Sequence, residues 1–119
     1  MVTVNADTFI KIFNVADFDD EHAEAIIDLA IHAVNNISKA DLSNMSGTAG
    51  SKTVNLESEE VWAVMAAAYA IYNNFYKGRT TAVTQGQSIS IGEVMGNPTV
   101  MDAVERAARQ LAELDVSYG

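Results

Sequence analysis

The stretch ESEEVWAVMAAAYAIYNNFYKGR, residues 57–79, decides the fold class. Between Val61 and Tyr72 it contains no charged or amide side chain. A helix that is apolar nearly all round is buried on more than one side. The run is shorter than the about 20 apolar residues that a transmembrane helix needs. The sequence therefore predicts a central core helix over this stretch, with Ser58 as its N-cap and Gly78 at its end.

Two apolar stripes follow the length of this predicted helix. The first has helical spacing and comprises Val61, Met65, Ala68, Tyr72 and Phe75. The second consists of aromatic residues seven positions apart, namely Trp62, Tyr69 and Tyr76. Because the positions flanking Trp62 and Tyr69 carry no basic residue, we expect this stripe to be buried in the core. A platform on which nucleic-acid bases stack is the less favoured interpretation.

Two helices are predicted before the central one. A short first helix is capped by Asn5 or Asp7, and its buried edge comprises Phe9, Ile10 and Phe13. The second begins at Asp19 or Asp20 and covers Glu21 to about Ser38. Its apolar stripe comprises Ala23, Ile26, Ile27, Ala30, Val34 and Ile37. Glu24, Asp28 and Asn35 are expected on its solvated side.

The last predicted helix covers residues 98–114. Pro98 suits its first position, where the missing N–H costs nothing, and Thr99 with Asp102 offers an alternative capping box. The predicted buried face comprises Val100, Val104, Ala107, Ala108, Leu111 and Leu114. On the other face, the pairs Asp102–Arg106 and Glu105–Arg109 have the favourable i,i+4 order.

Two stretches lack helical periodicity. Lys39 to Asn55 is rich in Ser, Gly, Thr and Asn, and reads as a long polar loop with a brief extended piece over residues 52–54. Thr80 to Asn97 contains the alternating segment Ser88-Ile-Ser-Ile91, which predicts a strand in an extended or β-hairpin arm. Such a hairpin is stable only when it packs on helices or on another chain.

The chain is therefore predicted to be a single domain over residues 1–119, because this length supports one core. The fold class is mainly α. We expect a small bundle of about four helices, a long polar loop, and an arm over residues 80–97 before the C-terminal helix.

The composition restricts the classes of partner. Sixteen Asp and Glu against seven Lys and Arg give a formal net charge of −9, which repels nucleic-acid phosphate. This balance fits a halophilic protein, whose acidic surface is screened by salt, as well as it fits an ordinary acidic cytosolic one. The chain has no cysteine, so disulfides and thiolate metal sites are excluded. Its first residues lack the features of a signal peptide, and we expect a protein that stays where it is made.

The second helix carries the candidate metal ligands. His22 and His32 are ten positions apart, about 80° in azimuth and roughly 15 Å along the axis, so they cannot share an ion unaided. Asp28 and His32 share a face, with Glu24 one turn earlier, which makes a weak metal site conceivable. A solvated acidic face is the favoured interpretation, since helical metal sites usually take ligands from a second helix. We predict no metal and no cofactor.

Other reactive arrangements are weaker still. The segment GTAGSK, Gly47 to Lys52, resembles a phosphate-binding loop in composition, but its spacing differs and its surroundings are acidic. Neither histidine is near a Gly-framed serine, so no Ser-His-Asp triad is predicted. We predict no catalytic residue and expect a protein that is not an enzyme.

The order of the elements resembles the head–tail connector, or adaptor, proteins of tailed bacteriophages and tailed archaeal viruses. A short helix, FIKIF, is followed by an acidic break and the amphipathic helix DDEHAEAIIDLAIHAVNNI. A long polar loop then leads to an Ala- and Tyr-rich helix that ends YNNFYKGR, and an extended arm leads to the last helix. The strand-like SISIGEV segment departs from the pattern, since not all such proteins carry it.

The resemblance implies a structural role. Members of the family assemble as rings, commonly of twelve subunits, beneath the portal protein, where they extend the DNA channel and dock the next head-closure or tail protein. It implies a location in the neck of the virion, after assembly in the host cytoplasm, with no membrane contact. An acidic channel wall would enclose DNA without binding it specifically.

Carried over by position, the resemblance makes Val100 to Leu114 the portal-facing helix and Thr80 to Asn97 the inter-subunit or tail-facing arm. The implied contact residues are Ile89, Ile91, Val94, Met95, Val100, Met101, Arg106, Arg109 and Tyr118. The alternative hypothesis from the residues alone is a small acidic helical regulatory module, similar to an antitoxin, that binds a basic partner.

Overall fold

The chain is described by a computed structural model that covers residues 1–15, 20–38, 41–76 and 91–118; for 76 and 112–118 only the backbone is described. The elements in order are β1 (Val2–Asn5), α1 (Ala6–Phe13), α2 (Asp20–Ser38), β2 (Thr53–Leu56), α3 (Ser58–Ile71), a π-helical turn (Tyr72–Tyr76), α4 (Ile91–Met95) and α5 (Pro98–Tyr118). The predicted mainly helical class is confirmed.

The core lies between α2, α3 and α5, each of which packs against the other two. The predicted stripe of α2 is confirmed, with Ala23, Ile26, Ile27, Ala30 and Val34 buried and Ile37 half-buried. In α3, Met65 and Ala68 are buried as predicted. Each fully buried Ile or Val side chain stabilises the fold by about 1.5–3 kcal/mol, so this shared core supplies most of the stability.

A two-stranded antiparallel sheet joins the N-terminus to the end of the polar loop. β1 pairs with β2 so that Val4 lies opposite Val54, and both side chains are buried. The extended piece predicted before Asn55 is present in β2, whereas β1 was missed. β1 is short because its last residue, Asn5, also caps α1: its Oδ1 accepts the N–H of Thr8 at 3.0 Å.

The central helix differs from its prediction at both ends. Its N-cap is Glu57 rather than Ser58, and the Glu57 N–H donates to Oε1 of Glu60 at 2.8 Å. The α-helix ends at Ile71 and continues as the π-helical turn. There the side-chain amide of Asn74 donates to the carbonyl oxygen of Ala70 at 2.8 Å. This side-chain bond competes with the backbone N–H that would bond to the same carbonyl in a regular α-helix. Residues 77–79 of the predicted helix lie outside the described residues.

The segment before the last helix is partly helical. Residues 80–90 lie outside the described part of the chain, but Ile91 begins α4, so the strand predicted to reach Ile91 is wrong there. Ile91, Val94 and Met95 have helical spacing, and all three contact the core. Burial of this face outweighs the two-residue alternation that favoured a strand.

The last helix opens at Asn97 and Pro98, as predicted, and is longer than predicted. Oδ1 of Asn97 accepts the N–H groups of Thr99 and Val100, at 3.0 and 3.1 Å, so Asn97 caps α5 and the capping box of Thr99 with Asp102 is wrong. The helix begins at Pro98 and extends beyond residue 114 to Tyr118. Of its predicted buried face, Val100, Val104, Ala107 and Ala108 are buried and Leu111 is half-buried; the Leu114 side chain lies outside the description.

Candidate functional site

Glu24 holds the polar loop against α2. Its side chain is only 3% exposed. Oε1 accepts the N–H of Gly50 at 2.9 Å, and Oε2 accepts the N–H of Lys52 at 3.0 Å. The prediction that Glu24 lies on a solvated face is therefore wrong. Burying a carboxylate is costly unless its oxygens are hydrogen-bonded, and the loop supplies both partners.

Two more side chains of α2 hold the same loop further along. Oδ1 of Asp28 accepts the N–H of Met45 at 3.1 Å. Asn35 bonds the backbone of Leu42 twice, since its Oδ1 accepts the N–H at 2.9 Å and its Nδ2 donates to the carbonyl at 3.0 Å. Glu24, Asp28 and Asn35 are the residues expected on the solvated side of α2, and in the structure they bond the backbone of the loop at residues 42, 45, 50 and 52.

This arrangement gives two of the candidate metal ligands, Glu24 and Asp28, a structural role. Both oxygens of Glu24 and one oxygen of Asp28 are occupied by backbone N–H groups. His32 is exposed at the edge of a cleft of about 450 Å³ between α2 and the loop, which Lys52 also lines. Within the described ranges, no group of three or more His, Cys, Asp or Glu side chains could hold a metal ion.

The segment Gly47 to Lys52, which resembles a phosphate-binding loop in composition, binds the carboxylate of Glu24. Gly47 and Gly50 adopt positive φ angles of 121° and 89°, a backbone conformation that glycine adopts without strain. The resulting turn directs the N–H groups of Gly50 and Lys52 to the Glu24 carboxylate. Backbone concavities of this kind bind anions, and here the bound anion is a side chain of the same protein.

The aromatic stripe of α3 lies on the surface. Trp62 is 69% exposed and Tyr69 is 40% exposed, and Ala66 between them is also exposed; the side chain of Tyr76 lies outside the described residues. The prediction that this stripe is buried is therefore wrong. Neighbouring helices cover two sides of α3 and leave this third side open. We call Trp62, Ala66 and Tyr69 the aromatic strip.

The Tyr69 end of the aromatic strip is supported by the side chain of Phe13. The rings of Tyr69 and Phe13 stack with centroids 4.5 Å apart and planes 16° from parallel. Phe13 in turn meets Phe9 edge to face at 5.1 Å, and Phe9 is fully buried. A ring supported in this way loses little further freedom when a partner covers it. Exposed Trp and Tyr side chains are the residue types that dominate protein–protein interfaces.

Two of the contact residues implied by the resemblance belong to the core instead. Val94 and Val100 are fully buried within their own chain, so neither can touch a partner while the chain is folded. Their helical spacing with neighbouring apolar residues directs them inward. Half-buried positions are occupied by Ile91, Met95 and Met101, and Ile89 and the side chain of Tyr118 lie outside the described part of the chain.

The outer face of α5 carries the remaining two implied contacts. Arg106 donates to Oδ2 of Asp102 at 2.6 Å, as predicted. The predicted pair between Glu105 and Arg109 is absent from the structure: both side chains are exposed, and within the described residues Arg109 has no ion-pair partner. The flexible side chains of an exposed i,i+4 pair gain only a few tenths of a kcal/mol from meeting, so this pair is readily left open.

Comparison with known proteins identifies no relative of this chain. No family model matches the chain, and no curated protein and no solved structure matches it. Among the residues described, no helix combines the length and the apolar character needed to cross a membrane.

Proposed function

We propose that this chain is a non-enzymatic structural protein of a tailed-virus particle, a head–tail connector that forms a ring under the portal. In that position it extends the DNA channel and docks the next neck or tail protein. The observation that carries the proposal is the aromatic strip, an exposed apolar surface, supported at Tyr69 by Phe13, on an acidic chain. Contiguous exposed apolar surface of this kind marks sites of protein association.

The polar side chains of the domain support an architectural role. Glu24, Asp28 and Asn35, which are the residues a helix-based catalytic or metal site would use, are engaged with the backbone of the loop. Their contribution is to give a long loop one conformation. A loop held in one conformation meets a neighbouring subunit without a further ordering cost.

The charge of the chain supports a place around packaged DNA. A formal charge of −9 on 119 residues gives a field that repels phosphate. Affinity for DNA comes mostly from Lys and Arg that neutralise phosphates. A channel wall with this balance lets the genome pass without holding it.

The test is the presence of the protein in purified particles of the virus whose genome encodes it, measured by quantitative mass spectrometry. We expect a fixed number of copies per particle, in constant ratio to the portal protein, and co-purification with the portal when the two are expressed together. The major capsid protein is the internal standard. Absence from particles, together with one-to-one binding of a cellular protein, would refute the proposal in favour of a regulatory module.

A further inference from the structure

The aromatic strip ends in an unpaired negative charge. Glu59 precedes Trp62 by three residues, so both lie on the same face of α3 with Ala66 and Tyr69. Glu59 is exposed and makes no hydrogen bond or ion pair within the described residues. α3 contains no Lys or Arg. From Glu59 to Tyr69 this surface measures about 15 Å along the helix.

A matching unpaired positive charge lies on α5. Arg106 forms an ion pair with Asp102, and Lys11 forms one with Asp7 at 2.8 Å. The hydrogen bond and charge of Asp7 raise the pKa of the Lys11 ammonium. Lys52 is half-buried and lines the cleft beside α2. Among the Lys and Arg side chains that the structure describes, Arg109 is therefore the exposed one without an ion-pair partner.

We propose that the aromatic strip of one copy packs against the outer face of α5 in the next copy, with Glu59 facing Arg109 across the contact. This inference rests on the proposed function, since it gives the surfaces by which ring subunits meet. The two surfaces are different and lie on one chain, so the contact is heterologous. Repetition of a heterologous contact builds a closed ring or an open filament.

Local charge complementarity and residue type both favour a second copy as the occupant. Copies that each carry a charge of −9 repel one another at long range, so a contact between them needs an apolar centre and locally opposite charges. The strip supplies Trp and Tyr, and α5 supplies Arg, the residue types most frequent at the energetic centres of interfaces. A guanidinium beside an indole ring also gains from the cation–π attraction.

The experiment uses reciprocal charge reversals, Glu59→Arg and Arg109→Glu, in the full chain. Solution mass is measured by light scattering at about 0.15 M salt, where screening acts beyond about 8 Å, with and without the portal protein. Each single variant places like charges opposite each other at the contact. We therefore expect it to assemble only at protein concentrations roughly tenfold or more above those that the wild type needs. Circular dichroism should give both variants the wild-type spectrum and melting temperature, because both positions are exposed.

Mixing provides the decisive comparison. In an equimolar mixture, copies with Glu59→Arg and copies with Arg109→Glu alternate around the assembly, and opposite charges meet at every contact. We expect the mixture and the double variant to regain the wild-type mass. If the single variants fail to assemble and neither the mixture nor the double variant recovers, this pairing is wrong.

The other outcomes separate this inference from the proposed function. Wild-type rings that are unaffected by either reversal would overturn the pairing and leave the connector function standing. A stable dimer that is lost in Trp62→Ala but not in Arg109→Glu would mean that strip packs on strip, and would overturn the heterologous contact. A wild-type chain that stays monomeric with and without the portal would overturn both.

Discussion

Substitution of Ala68 by Glu abolishes cooperative folding. Ala68 is fully buried in α3, a helix that packs against α2 and α5. No basic side chain is available on α3 to pair with a new carboxylate. The variant buries an unpaired charge and overfills the site. We expect a loss of more than about 4 kcal/mol, a large part of the about 5–15 kcal/mol by which native domains are stable. Thermal and urea unfolding followed by circular dichroism measure it.

The chain offers a matched control for this substitution two residues away. Ala66→Glu makes the same chemical change on the same helix, but Ala66 is exposed on the aromatic strip. We expect its unfolding free energy to stay within about 0.5 kcal/mol of wild type. If Ala68→Glu and Ala66→Glu unfolded at the same temperature, the assignment of the buried face of α3 would be wrong.

Substitution of Glu24 by Ala releases the polar loop and destabilises the domain by about 3 kcal/mol, because charged hydrogen bonds contribute about 1.5–3 kcal/mol each and are not additive. The N–H groups of Gly50 and Lys52 lose their acceptors. Hydrogen exchange should show both amides protected in wild type and exchanging rapidly in the variant, while amides in the core of α3 remain protected.

Two further variants separate this effect from a general loss of helix stability. Glu24→Gln keeps the volume and one acceptor oxygen, so its loss should be smaller than that of the alanine variant. Glu105→Ala removes an exposed carboxylate from α5 and should change stability by less than about 0.5 kcal/mol. Equal exchange rates at Gly50 in wild type and in Glu24→Ala would contradict the role given to this carboxylate.

The amphipathic helices are predictable from the sequence because their apolar residues repeat with the period of the helix. In α2, Ile26, Ile27 and Val34 follow the 3.6-residue period, and only one face of the helix can be inside. The same rule places Val104 and Ala108 of α5. Because the sequence of α3 is apolar all round, it lacks this asymmetry. Trp62 was assigned to the interior although the two neighbouring helices leave that side open.

The candidate sites depend on contacts that no local pattern records. Glu24 is buried because backbone N–H groups 26 and 28 residues later close over it. The available signal was the glycine-containing GTAGSK segment, whose composition allows N–H groups to converge on an anion. α4 was missed because two patterns overlap at Ile91, and burial of Val94 decides between them.

We propose that the exposed strip of α3 serves the assembly of many copies into a ring. The most direct test is the solution mass of the purified protein, alone and with the portal protein, from low to multimolar salt, with electron microscopy of any large species. We expect one closed ring of defined mass in the wild type, and a folded monomer for Ala66→Glu at the same concentrations. A wild-type protein that remains monomeric or dimeric at every salt concentration, with the portal present, would contradict it.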